Sequence, residues 1–172
     1  KVARGEFTDY VFSRDLHTEF PGVRGFGFIE RVDRDELEAF LARERQDDAP
    51  EFSLRSLGVS PHNTRYVIKF IEPGVDNLGA QGLDVGSEAR RRMAIEQAID
   101  SAEPAMTAPI HLVQNEKNTP GVLLYVPVYH KTPRLNSATE RRAALRGVIY
   151  APIVLNELLD GRHRWLPTVE RL

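Results

Sequence analysis

The chain has 172 residues, of which 41% are hydrophobic and 28% are charged, and this length suffices for one ordinary globular core. Its 23 basic and 25 acidic residues give a net charge of -2, without the positive excess that binding to a nucleic-acid backbone requires. The absence of cysteine excludes disulfides, thiolate catalysis and zinc sites with cysteine ligands. We therefore expect one domain that binds neither DNA nor RNA. Because the chain opens directly in the helix-like "KVARGEFTDYVF", we expect it to be a piece of a longer protein.

The N-terminal segment predicts an amphipathic helix. Phe7, Tyr10 and Val11 recur at helical spacing, and the helix should stop at Pro21 because proline disfavours helix in the residue before it. A second helix is predicted in "DRDELEAFLARERQ". We expect Asp33 or Asp35 to open this helix, with an apolar stripe made of Leu37, Phe40 and Leu41.

Between these helices, "VRGFGFIERV" predicts a strand with Phe26 and Phe28 on one face and Gly25 and Gly27 on the other. Glycines on a strand allow another group to approach the backbone closely. Two interpretations stay open: the aromatic rings line a pocket, or they belong to the core and the glycines accommodate a packed helix.

The remaining strands follow from alternating or continuous apolar runs. "TRYVIKFIEP" predicts a central strand, "MTAPIHLVQ" another, and a short edge strand is expected within 52–57. "GVLLYVPVYH" is apolar on both faces, so both should be covered. After the polar stretch "HKTPRLNSATERR", "RGVIYAPIVLNELLDG" predicts a strand that runs into a short helix ending near Gly161. This order predicts an α+β fold, an antiparallel sheet with flanking helices. We expect its shared core to contain Phe26, Phe70, Leu112, Leu124, Val126 and Ile149.

The stretch "NLGAQGLDVGSEARRRMAIEQAID", residues 77–100, places Asp84 between a glycine-rich strand and a helix. Asp84 either caps this helix or faces inward. Ser87 is the better-placed cap, which leaves Asp84 free to face inward. Three consecutive arginines predict a solvated helix face, with anion binding as the alternative: Arg90, Arg91 and Arg92.

Sequence support for catalysis or cofactor binding is missing. The phosphate-loop, nucleophile-elbow and dinucleotide-binding motifs do not occur. The acidic pairs Asp47–Asp48 and Glu36–Glu38 lie in stretches that predict solvated surface. The histidines are scattered singly, without the paired spacing of a metal site: His17, His62, His111, His130 and His163. We therefore predict no catalytic residue, no metal and no cofactor.

Five blocks in order resemble the CHASE domain, the extracytoplasmic sensor of receptor kinases, nucleotide cyclases and diguanylate cyclases. They are "FPGVRGFGFIERV" with "DELEAF", "YVIKFIEP", "N-x-x-x-x-G-L-D-V-x-S" with "A-x-x-x-A", "MTAPIHLVQ" and "GVLLYVPVY". The resemblance implies one CHASE-type sensor domain over residues 1–172. In that domain, residues 1–20 are the end of a stalk helix and residues 21–160 are a PAS-like ligand-binding lobe. Members often have a second, membrane-proximal lobe, and we interpret this chain as the distal lobe alone.

The resemblance also implies site residues. In the cytokinin receptors of this family, the matching aspartate accepts a hydrogen bond from the ligand, which points to Asp84. The matching cavity elements point to Met106 and Thr107 in "MTAPI" and to Leu124, Tyr125 and Pro127 in "LYVPVY". The bulk of Tyr125, where the plant pattern has a small polar residue, argues against a ligand of cytokinin size. The aromatic side chains predicted to complete the site are Phe26, Phe28 and Phe70.

These observations predict a small-molecule sensor in the periplasmic part of a bacterial inner-membrane protein, with no catalysis of its own. The output would be a histidine kinase of a two-component system or a diguanylate cyclase that makes cyclic di-GMP. An unknown ligand would bias a homodimer of the full-length protein, whose flanking transmembrane helices lie outside this chain. The chain alone is expected to be monomeric or weakly dimeric. The alternative is a dimerisation or protein-interaction module whose core leaves no cavity.

Overall fold

A computed structural model describes residues 4–74, 77, 79–112, 120–131 and 135–161. The helices are α1 (Arg4–Phe12), α2 (Leu16–Glu19), α3 (Leu37–Gln46), α4 (Ala89–Ser101), α5 (Ala138–Ala144) and α6 (Leu155–Gly161). The strands are β1 (Phe26–Asp33), β2 (Arg55–Ser56), β3 (Thr64–Glu72), β4 (Leu83–Asp84), β5 (Ala105–Met106), β6 (Ile110–His111), β7 (Pro120–Tyr129) and β8 (Leu145–Val154). Short 3₁₀ turns precede α3 and α4. The predicted α+β class, with an N-terminal helix, is confirmed.

The strands form one sheet in the order β2-β4-β3-β1-β8-β7-β5, with β6 paired to β7. The pairs are antiparallel except β2 with β4. Tyr150 of β8 lies opposite Gly27 of β1 on one side and opposite Tyr125 of β7 on the other. A Cβ at Gly27 would overlap the Tyr150 ring. The close approach on the glycine face of β1 is therefore made by a tyrosine and not by a packed helix.

One side of the sheet, which we call the α4 face, packs against the apolar stripe of helix α4. The stripe follows helical spacing, and the strands contribute alternate residues because successive side chains point to opposite faces. The buried residues from the helix are Ala94, Ile95, Ala98 and Ile99, and those from the long strands are Ile29, Tyr66, Ile68, Ile71, Leu123, Tyr125, Val148, Tyr150 and Val154. This is the main core of the domain.

The opposite side, which we call the α3 face, is covered over β1 and β3 by helices α1 and α3. Phe40 of α3 packs with Phe52 and with Val67 of β3. Phe7 of α1 lies 4.7 Å from Phe70 of β3, centroid to centroid. These contacts form a second, smaller core and fasten the N-terminal helix to the sheet.

A buried ionic cluster joins α1, α3 and β3. Nζ of Lys69 lies 2.7 Å from Oε1 of Glu44, and Nη2 of Arg4 lies 3.3 Å from Oε2 of the same carboxylate. The side chains of Glu44 and Lys69 are 0% and 3% exposed. Glu30 of β1 adds a more distant contact, 3.4 Å from Nζ of Lys69. The two buried charges therefore compensate each other.

The prediction of the shared core was only partly right. Phe70 and Leu112 are buried, as expected. The prediction was wrong for four residues that are half-buried or exposed: Phe26, Leu124, Val126 and Ile149. For Leu124, Val126 and Ile149 the reason is that α1 and α3 cover β1 and β3, so the described residues leave the α3 face half open over β7 and β8. Phe26 is the first residue of β1, and its ring contacts Phe20. The buried side of β7 is the one that contains Leu123 and Tyr125.

Three local predictions also differ from the structure. The N-terminal helix is broken after Phe12, and α2 begins anew with Asp15 accepting a hydrogen bond from the backbone N–H of Thr18. The polar stretch before β8 contains helix α5, whose capping box pairs Ser137 with Glu140. "MTAPIHLVQ" forms two short strands, β5 and β6, and its last two residues lie outside the described residues.

The helix predicted from Asp33 or Asp35 is α3, but neither aspartate caps it. A 3₁₀ turn at Arg34–Glu36 comes first, and the side chain of Asp33 makes no capping hydrogen bond. That carboxylate instead accepts a hydrogen bond from the hydroxyl of Thr64 on β3 at 2.6 Å. Asp33 therefore fastens β1 to β3 at the point where the chain leaves the sheet.

Candidate functional site

Asp84 lies at the end of β4 and is completely buried. Its Oδ1 accepts hydrogen bonds from the backbone N–H groups of Tyr66 and Gly86, at 3.0 and 2.9 Å. Its Oδ2 accepts a hydrogen bond from Nη1 of Arg65 at 3.1 Å. The bond from Gly86 caps the 3₁₀ turn before α4, and the bond from Tyr66 fastens β4 to β3. The fold thus supplies three donors to this carboxylate, and its role as a ligand anchor stays a prediction.

The prediction that Ser87 caps α4 was wrong, because the cap is Glu88. The Glu88 carboxylate accepts hydrogen bonds from the backbone N–H groups of Arg90 and Arg91, at 3.0 and 3.1 Å. The Ser87 hydroxyl instead donates to the backbone oxygen of Asp84 at 2.6 Å. Burial alone would raise the pKa of Glu88, but these backbone bonds and the charge of Arg91 lower the pKa below its usual value. The positive end of α4 therefore has an ionised cap.

A small internal cavity lies between the α4 face of the sheet and helix α4. Its volume is about 10 Å³, roughly what one water molecule needs. The wall is apolar apart from one arginine and one tyrosine, and it consists of Ile68, Ala80, Leu83, Val85, Arg91, Leu112, Leu123 and Tyr150. Four strands (β3, β4, β7 and β8), α4 and the turn before β4 thus meet at this point.

Arg91 is the charged part of the cavity wall, and the residue is only 6% exposed. Its Nη1 donates a hydrogen bond to Oε2 of Glu88 at 3.2 Å, and its Nη2 donates to the backbone oxygen of His111 at 2.8 Å. Its Nε is buried and has no partner among the described residues. Arg92 differs, because its three nitrogens donate hydrogen bonds to Gly86, Glu96 and Thr64. One buried N–H of Arg91 therefore stays available for an acceptor.

The prediction that the arginine triplet is solvated was wrong for two of its members. Arg90 is exposed, whereas Arg91 and Arg92 are buried. A sequence signal for this exists: Arg91 precedes Ile95 by four positions and Ala98 by seven, so all three lie on one face of the helix. Helical spacing relative to the apolar stripe was a better guide than the charge run.

Tyr125 and Tyr150 form a buried pair across β7 and β8 next to Arg91. Both side chains are essentially inaccessible, and neither hydroxyl has a hydrogen-bond partner among the described residues. Burial raises the pKa of both hydroxyls, and the charge of Arg91 offsets part of this shift at Tyr125. Both groups therefore stay protonated and can donate hydrogen bonds. A buried hydroxyl without a partner is costly, so the pair marks a site that lacks an acceptor.

An open cleft lies on the other side of Arg91. Its volume is about 490 Å³, and it is bordered by Glu88, Arg90, Arg91, Pro109, Ile110, His111 and Pro120. Arg91 borders both this cleft and the internal cavity.

Most of the predicted site residues lie away from the cavity. Leu124 and Pro127 of β7 are half-buried, and Met106 of β5 is 60% exposed. On the α3 face the ring of Phe28 stacks on that of Phe70, and Phe26, at the start of β1, contacts Phe20. The structure therefore places these six residues apart from Asp84 and from the cavity, and their role in binding stays a prediction.

Two predicted residues lie nearer. Tyr125 adjoins the cavity as the strand neighbour of Tyr150. Thr107 is buried, and its hydroxyl accepts a hydrogen bond from the backbone N–H of Leu123 at 3.0 Å. Sequence reasoning missed Arg91 and Tyr150, although Tyr150 alternates with Val148 in the pattern typical of a buried strand face.

The last observations concern metal binding, membrane spans and the family of the chain. Within the described residues, no group of three or more histidine, cysteine, aspartate or glutamate side chains is placed to hold a metal ion. In the same part of the chain, no helix has the length and hydropathy needed to cross a membrane. The comparison with curated proteins finds no match. The family model of the CHASE domain, a sensor domain of signalling receptors, matches residues 1–170. The chain therefore belongs to the CHASE domain family.

Proposed function

We propose that this chain is the periplasmic small-molecule sensor of a membrane-anchored bacterial signalling protein, and that its ligand binds between the sheet and α4. The observation that supports the proposal is the internal cavity, whose wall contains two hydrogen-bond donors without acceptors, Arg91 Nε and the Tyr150 hydroxyl; the hydroxyl of the adjoining Tyr125 also lacks a partner among the described residues. A core that only maintained the fold would gain from apolar groups at these positions. The lobe is proposed to be PAS-like, and the output a histidine kinase or a diguanylate cyclase.

The proposed role is binding and not catalysis. The two buried carboxylates described above, Glu44 and Asp84, are each held by a cation and are not poised as free acids or bases. Asp84 accepts two further hydrogen bonds from the backbone. A carboxylate fixed in this way is suited to organising the fold.

The proposed mechanism is a shift between two arrangements of the domain. A cavity of about 10 Å³ is the closed arrangement, and a ligand that needs more room binds a wider one. The ligand biases the equilibrium by the difference between its affinities for the two arrangements. In the full-length protein this shift would bias a homodimer whose helices enter the membrane.

The alternative function, a protein-interaction module, is favoured by a different observation. The half-open part of the α3 face over β5, β7 and β8 presents apolar side chains, including Met106 at 60% and Ile149 at 36% exposure. Apolar patches of this kind often mark protein contacts. Sedimentation equilibrium of the chain and of Ile149→Lys distinguishes the two functions: a tight dimer that the substitution dissociates favours the alternative.

Native mass spectrometry of the purified domain tests the sensor proposal. A bound small molecule should be detected, and its return to the stripped protein should raise the melting temperature by an amount that grows with the logarithm of the ligand excess. Ala80→Val, which adds two methyl groups to the cavity wall, should prevent binding. Ala143→Val, at an exposed position of α5, is the control. A ligand that binds Ala80→Val as tightly as the unmodified chain would contradict the proposed location.

A further inference from the structure

The groups that lack partners around the cavity share one chemical property. Arg91 Nε can only donate a hydrogen bond, and the hydroxyls of Tyr125 and Tyr150 are protonated donors that have found no acceptor among the described residues. Asp84, the nearest buried carboxylate of the predicted site, is already engaged by Arg65 and by two backbone N–H groups. Because a phenolic hydroxyl can also accept a hydrogen bond whereas Arg91 Nε cannot, a ligand that satisfies Arg91 must bring at least one acceptor.

The charge around the site favours an anionic acceptor over a neutral one. Arg91 is the charged residue of the cavity wall. Where the cleft begins, two positive charges, those of Arg90 and Arg91, lie beside one negative charge, that of Glu88. The Glu88 carboxylate also accepts hydrogen bonds from two backbone N–H groups of α4. The first turn of the 13-residue helix α4 lies at the same point, and its dipole adds positive potential. The positive charge at this position could therefore balance one negative charge of a ligand.

The rest of the wall limits what the anion can be. The other lining groups are aliphatic: Ile68, Ala80, Leu83, Val85, Leu112 and Leu123. Burying two negative charges against one arginine would leave a charge without compensation, which is costly. A single carboxylate on an apolar body fits this wall, whereas a phosphate dianion does not.

We propose, on the basis of the proposed sensor function, that the ligand is a small organic monocarboxylate whose carboxylate accepts hydrogen bonds from Arg91 Nε and the Tyr150 hydroxyl. Its apolar part lies between α4 and the strands, in the space that widens from the present cavity. The ligand reaches this position from the open cleft, because Arg91 borders both spaces. This assignment replaces a donor ligand on Asp84 with an acceptor ligand on Arg91.

Matched acid and amide pairs test the charge. The probes are sodium propanoate, hexanoate and phenylacetate, and each is compared with its primary amide. Binding to the chain of 172 residues is measured by isothermal titration calorimetry at pH 7, with sodium chloride as the control for ionic strength. We expect at least one acid to bind about 10-fold or more tightly than its amide. Amides that bind as tightly as acids would overturn the proposed charge while leaving the sensor function intact.

Two substitutions test the location. Arg91→Lys keeps the positive charge but removes the Nε donor, and it should weaken binding of the acid about 10-fold or more. Arg43→Lys, at an exposed arginine of α3 on the opposite side of the sheet, should change binding by less than about 3-fold. Tyr150→Phe should weaken binding of the acid while the melting temperature of the unliganded protein stays the same or rises, since the hydroxyl has no partner to lose. An acid that binds all three variants equally would overturn the site.

The remaining outcomes separate the two proposals. If no acid binds below about 10 mM and native mass spectrometry finds a neutral or cationic ligand, the carboxylate assignment is overturned and the sensor proposal stands. If no acid binds and no small molecule accompanies the protein, both proposals are overturned.

Discussion

Lys69→Met removes one of two opposite charges that are almost inaccessible to water. The ammonium of Lys69 lies 2.7 Å from Glu44, whose side chain is 0% exposed, so the substitution leaves a buried carboxylate with Arg4 as its remaining cation at 3.3 Å. Removing one partner of a buried pair costs about 3 to 5 kcal/mol. Because the partly exposed Arg4 still compensates Glu44, we expect the lower end, about 3 kcal/mol in the free energy of unfolding. Glu44→Leu should cost a similar amount, since it leaves the ammonium of Lys69 with the more distant Glu30.

The double variant, Lys69→Met with Glu44→Leu, should cost no more than either single variant. Two apolar side chains of similar volume can replace a buried ion pair without a large penalty. The double-mutant cycle, measured by urea denaturation, should therefore give a coupling energy of roughly 3 kcal/mol. The control is the exposed pair of Arg142 and Asp100, where Arg142→Met should cost less than about 1 kcal/mol. Additive single variants, each below about 1 kcal/mol, would refute the conclusion that this pair is buried and coupled.

Three further predictions follow from the same structure. In a denaturant titration, Leu123→Ala should lower the free energy of unfolding by about 2 to 5 kcal/mol, and Leu124→Ala should lower it clearly less. The reason is that Leu123 is buried against α4, whereas Leu124 is half-buried on the α3 face. Equal losses would mean that the faces of β7 are wrongly assigned. Asp84→Ala should lower the free energy of unfolding by about 3 kcal/mol, because alanine leaves two buried N–H groups and Arg65 without an acceptor. Asp84→Asn should lower it by less. Loss of ligand binding with an unchanged melting temperature would instead favour the predicted role of Asp84 as ligand anchor. Because the fold lowers the pKa of Glu88, this carboxylate should contribute fully to stability above its unfolded pKa of 4.5, and the contribution should be lost as the pH falls below that value. The difference in free energy of unfolding between the unmodified chain and Glu88→Gln should therefore shrink on acidification. A difference that grows would contradict the capping role.

The sequence predicted the elements better than their faces. Alternation and apolar runs predicted β1, β3, β7 and β8, because these patterns report burial directly. They failed for the core because β7 is apolar on both sides. Leu123 is buried because α4 packs on its side of β7, and Leu124 is half-buried because α1 and α3 cover β1 and β3 instead. This placement depends on contacts distant in the sequence.

The site was harder to predict, for two physical reasons. A cap is chosen by backbone geometry over one or two residues, so residue preference favoured Ser87 although only its neighbour Glu88 reaches the N–H groups of α4. The resemblance to the cytokinin receptors directed attention to Asp84. Arg91 and Tyr150, by contrast, are brought together by the packing of α4 on β8, which no local motif reports.

Strand β3 contains, at consecutive positions, residues that belong to both sides of the sheet. Ile68 borders the internal cavity, Lys69 binds Glu44 of α3, and Phe70 contacts Phe7 of α1. Since these side chains share one backbone, the strand cannot move at the cavity and stay fixed beneath α1. If the cavity widens around a ligand, ligand binding also shifts the position of the N-terminal helix. Thermodynamic reciprocity then requires that a force or partner that shifts this helix change the affinity for the ligand. The threshold concentration of such a sensor would then be set jointly by the cavity wall and by whatever holds the N-terminal helix.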